Sequence, residues 1–124
     1  MVFMNKLSRL IFATTLLVAA PFAFACDYPQ RPEIPEGATA SKEEMVAASK
    51  AIKAYQGEMV SYRECVDSES TATIAELEIG EADEETINNS KMAAAKKYNA
   101  SVDDEELIVA QFNEAVRAYK AQSQ

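Results

Sequence analysis

From position 42 onward, apolar side chains return at alternating intervals of three and four residues: Met45, Ala48, Ile52, Tyr55, Met59, Tyr62 and Val66. That rhythm belongs to an α-helix burying one coiled-coil-like stripe. Lys50, Lys53, Glu58, Arg63 and Glu64 fall mostly off the stripe. The start is marked by Ser41-Lys42-Glu43-Glu44, a capping box in which the serine hydroxyl accepts the Glu44 amide and the glutamate reaches back to the serine amide. A helix is therefore expected to begin at Lys42. Gly57 within it costs about 1 kcal/mol relative to alanine; either it is tolerated or it admits the close approach of another backbone. The helix is expected to reach about residue 69, where Ser68, Ser70, Thr71 and Thr73 weaken helical preference.

A second apolar rhythm occupies the C-terminal third. Ile87, Ala94, Tyr98, Val102, Val109, Phe112, Val116 and Tyr119 keep a 3.5-residue spacing, with Glu105 at the missing stripe position. Asp83 is a suitable N-cap, and Glu84 and Glu85 favour the positive end of the helix dipole. Neither proline nor glycine occurs from Thr86 to the end, so one helix over about 84–122 is expected, roughly 55 Å long at 1.5 Å per residue. Asn99-Ala100-Ser101 followed by Asp103–Glu106 offers an alternative start and hence a kink or break near residue 100. Residues 70–83 read as a connector: Ile74, Leu77 and Ile79 make one short apolar turn, Gly80 is the stop, and six of the ten residues from Glu76 to Glu85 are acidic.

The N-terminal end carries two different signals. Met1–Ala25 has the build of a secretory leader: Lys6 and Arg9, the apolar run Leu10–Ala20, then Ala23-Phe24-Ala25. Small residues in an A-x-A ending suit signal peptidase, and the run is too short to span a bilayer. Removal leaves 99 residues beginning at Cys26, enough for one small domain. Residues 26–40 then form a stiff arm with Pro29, Pro32 and Pro35 at every third position, which favours polyproline II and excludes helix.

The two cysteines, Cys26 and Cys65, allow one pairing, and exported chains with an even count usually pair them. Reach permits it. From Ser41 to Cys65 is about 36 Å of helix rise, and the arm from Cys26 to Ser41 spans about 46 Å as polyproline II, enough to turn at Gly37 and run back along the helix. Closing a loop of about 40 residues removes denatured-state entropy worth about 4 kcal/mol in the chain-entropy account. The competing reading makes Cys26 the acylated first residue of a lipoprotein, although Ala23 and Phe24 depart from the usual lipoprotein signal. The fold expected is all-α: an antiparallel helical hairpin of two long amphipathic helices, with a proline-rich extended arm disulfide-linked to the first. Because two helices bury one seam poorly, either the arm forms a third layer or two copies make a four-helix bundle, that is, a homodimer.

Charge and composition narrow the chemistry. The leader holds two of the 12 basic residues and none of the 20 acidic ones, so residues 26–124 carry 10 basic against 20 acidic side chains, a formal −10. That balance disfavours nucleic acid as a partner, and after the leader no apolar run is long enough for membrane insertion. Histidine is absent, which removes the commonest general base and transition-metal ligand. No phosphate loop, Cys-x-x-Cys motif or zinc spacing occurs. No catalytic residue, cofactor or metal ligand is expected. Met45 and Met59 read as core filling, and the acidic run 76–85 reads as a solvated segment that, as an alternative, binds a cation or small ligand through its carboxylates. The sharper expectation is an interaction face of Tyr55, Met59, Tyr62, Tyr98, Phe112 and Tyr119 that takes a protein or peptide.

The segments Cys26-Asp-Tyr-Pro, Pro35-Glu-Gly-Ala-Thr-Ala-Ser, Glu43-Glu44-Met45, Tyr98-Asn-Ala-Ser-Val-Asp and Gln111-Phe-Asn113 resemble those of a family of small exported proteins of Gram-negative bacteria. The resemblance implies a periplasmic or secreted setting and carries no activity and no site residue. The function expected is that of a non-enzymatic interaction module of the bacterial envelope.

Overall fold

The structure, a computed structural model, describes residues 25–124; the leader reading lies outside them except for its last residue. The described residues contain two helices and no strand: α1, Lys42–Ile79, and α2, Glu84–Gln122. The capping box forms as expected, with the Glu44 amide donating to Ser41 Oγ at 3.2 Å and the Ser41 amide donating to the Glu44 carboxylate at 2.6 Å. Asp83 caps α2 by accepting the Thr86 amide at 2.8 Å. The second helix is continuous through residue 100.

The first helix is ten residues longer than its sequence suggested, and the connector over 70–83 shrinks to residues 80–83. Two physical reasons account for this. The hydroxyls that compete with helix elsewhere are satisfied within it: Ser68 donates to Glu64 O and Thr71 to Asp67 O, both at 2.9 Å. The stripe also continues past Val66 through half-buried Ser70, Ile74 and Leu77, so packing overrides weak local propensity.

The helix then ends in a Schellman turn. The Ala82 amide donates to Leu77 O at 2.9 Å and the Glu81 amide to Glu78 O at 3.1 Å. The helix stops at Gly80 as expected, with Gly80 as its C-cap at φ −77°, and the left-handed position falls on the next residue, Glu81, φ 54°. A side chain there is strained where glycine is not.

Partners along the seam run in opposite order on the two helices. Met45 clusters with Ala115, Ile52 and Tyr55 with Ile108, and Glu69 lies across from Lys97. All seven expected positions of α1 are buried. On α2 the buried residues are instead Ser101, Asp104, Ile108 and Ala115, so the core stripe lies to one side of the apolar one read from sequence. Val102, Val109, Phe112, Val116 and Tyr119 are half-buried at its edge.

The extended segment before α1 does not lie along α1 alone. Ile34 packs into both core clusters, one with Ile52, Tyr55, Met59 and Ile108, the other with Ala40, Met45 and Ala115. Gly37 is pressed onto α2, where a Cβ would fall 1.8 Å from the Ala115 carbonyl oxygen. The close backbone approach is thus at Gly37; a Cβ on Gly57 would meet nothing within 4 Å. Gln122 completes the attachment, its Nε2 donating to Gly37 O at 2.8 Å and Ala40 O at 2.9 Å.

Two substitutions check this account. Glu81→Gly is expected to stabilise the protein by about 1 kcal/mol in urea denaturation by relieving the left-handed backbone. Gly37→Ala is expected to destabilise it by about 2–3 kcal/mol and to speed amide exchange across residues 37–41; unchanged stability contradicts the contact with Ala115.

Candidate functional site

The polar centre of the molecule is Asp104, in the middle of α2 and 8% exposed. Three segments converge on it. The Tyr55 hydroxyl on α1 and the Tyr28 hydroxyl on the N-terminal segment both donate to its Oδ2 at 3.1 Å. Arg31 adds a forked contact, Nε to Oδ2 at 3.1 Å and Nη2 to Oδ1. A carboxylate taken from water requires such partners, and no buried side-chain nitrogen or oxygen among the described residues lacks one.

The electrostatics follow. The Arg31 hydrogen bond holds the Asp104 carboxyl below its ordinary range, against the opposing effect of burial and with help from both tyrosines. Burial, then the bond to Asp104, pushes the Tyr55 and Tyr28 hydroxyls upward. Arg31, whose side chain is 61% exposed, is raised by the same carboxylate. These directions keep Asp104 ionised and the two hydroxyls and Arg31 protonated near neutral pH. The cluster holds its protons in place.

Beside it, Tyr28 meets Tyr62 edge-on, ring centroids 4.9 Å apart. Two residues earlier Cys26 is bonded to Cys65, with Cα atoms 5.8 Å apart. The expected pairing is therefore present, and a sulfur held in a disulfide has no valence left for a thioether lipid.

The expected interaction face is divided. Tyr55 and Met59 are 2% and 0% exposed, the first bonded to Asp104 and both in the core. Tyr62 is buried beneath Tyr28. These three cannot greet a partner, because the N-terminal segment and α2 already cover them. Tyr98, Phe112 and Tyr119 lie half-buried on the opposite flank of the seam. There Arg63 pairs with Glu105 at 2.7 Å, its guanidinium 5.9 Å from the Tyr98 ring centre. Gln56, Val102 and Val109 line the same shallow groove.

Sequence reasoning missed Asp104, Tyr28 and Arg31. The available signal was Tyr55: a tyrosine at the centre of a buried stripe brings a hydroxyl that needs an acceptor. The acidic run is divided between the end of α1, the turn and the start of α2. Glu76 and Glu78 belong to the last turns of α1, and among the described residues no three Asp, Glu or Cys side chains converge as metal ligands. No helix of the described residues is long and apolar enough to cross a membrane. Comparison with protein-family models, curated proteins and solved structures finds no match.

The sign of the pH dependence follows from these shifts. Asp104 is depressed in the fold, so its stabilisation is complete above the ordinary value of 3.8 and is lost as pH falls through the folded value. The tyrosines are raised, so theirs is complete below 10.0 and is lost as pH climbs beyond it. Asp104→Asn is expected to cost about 2–3 kcal/mol at neutral pH and to flatten the acid limb of stability against pH, measured by urea titration. An unaltered acid limb would remove Asp104 from this role.

Proposed function

We propose that this chain is a non-enzymatic interaction module of the bacterial envelope, exported behind the cleaved leader Met1–Ala25 and folded as a helical hairpin. Its proline arm closes one flank and the other receives a protein or peptide. The observation that carries the reading is this asymmetry. On one flank Tyr28, Arg31 and Ile34 cover the seam. On the other, Tyr98, Val102, Val109, Phe112 and Val116 are half-buried beside an open groove, and no described segment lies over it.

Several features support export. A structural disulfide persists where thiols oxidise, Cys26 follows the A-x-A ending directly, and the bond to Cys65 gives a terminal cysteine an intramolecular use. The lipoprotein reading requires the same sulfur, so the two exclude each other. No observation favours the cation-binding reading.

Two measurements on the protein recovered from the envelope test this. Intact mass is expected to show a chain starting at Cys26 and lighter by two hydrogens than its dithiol form; added acyl mass overturns the disulfide reading. A photo-reactive side chain at Val109 is expected to give a discrete cellular adduct, and one at Ala54 on the arm flank none. Absence of any discrete adduct at Val109 overturns the interaction module.

A further inference from the structure

The open flank has a charge pattern unlike that of the rest of the chain. Residues seven apart share a helix face in a paired seam, so the rows bordering this groove can be read directly. On α1 the row through Gln56 and Arg63 begins with Lys42 and Ser49, and the next row outward is Val46, Lys53 and Val60. On α2 one row is Val102, Val109 and Val116, and the next is Glu106, Asn113 and Lys120. Val46 and Val60 are 47% and 48% exposed, and Lys42, Lys53 and Lys120 are exposed.

Glu105 is neutralised by Arg63, which leaves Glu106 on α2 and Asp67, seven residues beyond Val60 on α1, as the acids in these rows, against the three lysines. Residues 26–124 carry a formal −10, yet the half of this groove nearest the start of α1 and the end of α2 is rimmed by Lys42, Lys53 and Lys120, the acids of these rows lying in the other half. A valine floor with a lysine rim on an otherwise acidic body is complementary to an amphipathic helix with an acidic border.

We propose that the open flank is a docking groove for an acidic amphipathic helix of another protein, its apolar face on Val102, Val109 and Val116 and its carboxylates against Lys53 and Lys120. The inference rests on the interaction reading above and adds the chemistry of the partner. A second copy of this chain is the poorer occupant. A two-fold contact places the same patch on both sides, and it brings together two bodies that each carry a formal −10 and repel.

The test uses the oxidised protein from Cys26 onward and two synthetic three-heptad helical peptides with identical leucine and isoleucine positions. One carries glutamate at the flanking positions and the other lysine. The glutamate peptide is expected to bind, with NMR shift changes at Val102, Val109 and Val116, and the lysine peptide to bind at least about tenfold more weakly. The exposed-site variant Lys53→Glu/Lys120→Glu is expected to lose about tenfold in affinity for the glutamate peptide with its melting temperature unchanged.

Equal binding of the two peptides, shift changes confined to the arm flank, a dimer crosslinked Val109 to Val109, or capture by phosphatidylglycerol vesicles without peptide binding would each overturn the proposal. If Val109 forms a discrete cellular adduct while neither peptide binds, the acidic-helix chemistry fails and the interaction module stands.

Discussion

The carboxylate of Asp104 is the point on which the three segments agree. It lies on α2, takes a hydroxyl from α1 through Tyr55, and takes a hydroxyl and a guanidinium from the N-terminal segment through Tyr28 and Arg31. The Arg31–Asp104 pair is a weak source of net stability, since the arginine side chain is 61% exposed and solvent screens it. Its physical effect is selective. A one-turn slip of either helix, or a shift of the arm by one residue, takes the three donors away from a carboxylate that is 8% exposed. Apolar contacts such as Ile34 against Ile52 tolerate small displacements, and this polar cluster does not. We read it as the feature that fixes the register of arm, α1 and α2, a hypothesis that the acid limb of the stability curve addresses.

The arm can be held by so few contacts because it has little freedom to lose. Pro29, Pro32 and Pro35 restrict it before folding, so ordering it costs less than ordering a flexible segment of equal length. Its ends are then fixed in different ways. Cys26 is covalently tied to Cys65, and Gly37 is seated against Ala115 under the amide of Gln122. With a separation of 39 residues between the cysteines, the bridge restricts the unfolded chain by an amount worth about 4 kcal/mol in the chain-entropy account. For a chain that buries one seam between two helices, that is a large share of a typical net stability of 5–15 kcal/mol.

How much of this was legible in the sequence depends on whether a position's residue type matched its environment. The stripe of α1 was legible to the residue because all seven buried positions are apolar or aromatic. The capping box was legible because it is written in four adjacent residues. The disulfide was legible because only one pairing exists. Residues 70–79 were misread because their serines and threonines carry a weak helix preference that packing against α2 overrides. Glu81 was missed because glycine is favoured at a left-handed residue and Gly80 stands beside it. The core of α2 was missed for a related reason. Ser101 and Asp104 are polar, and a search for apolar periodicity passes over the two positions where the chain is most buried by polar contact.

The α2 rhythm of Tyr98, Val102, Val109, Phe112 and Val116 is real in the sequence, but the seam with α1 runs one residue to its side. The helix therefore carries two adjacent stripes, one buried through Ser101, Asp104, Ile108 and Ala115, the other left half-buried. A helix needs only about 100° of apolar surface to face a single neighbour, and α2 is broader than that on the flank the arm does not reach. On the arm flank the α1 positions are small or polar, Ala54, Gly57, Ser61 and Cys65, as a thin extended segment requires. On the open flank they are Val60, Lys53 and Arg63 beside a valine row, side chains with the bulk and charge to meet a second helix. The stripe that looked like the core is the half-buried edge of the seam on the flank the arm does not reach, and that leftover apolar area is what the proposed docking helix would cover.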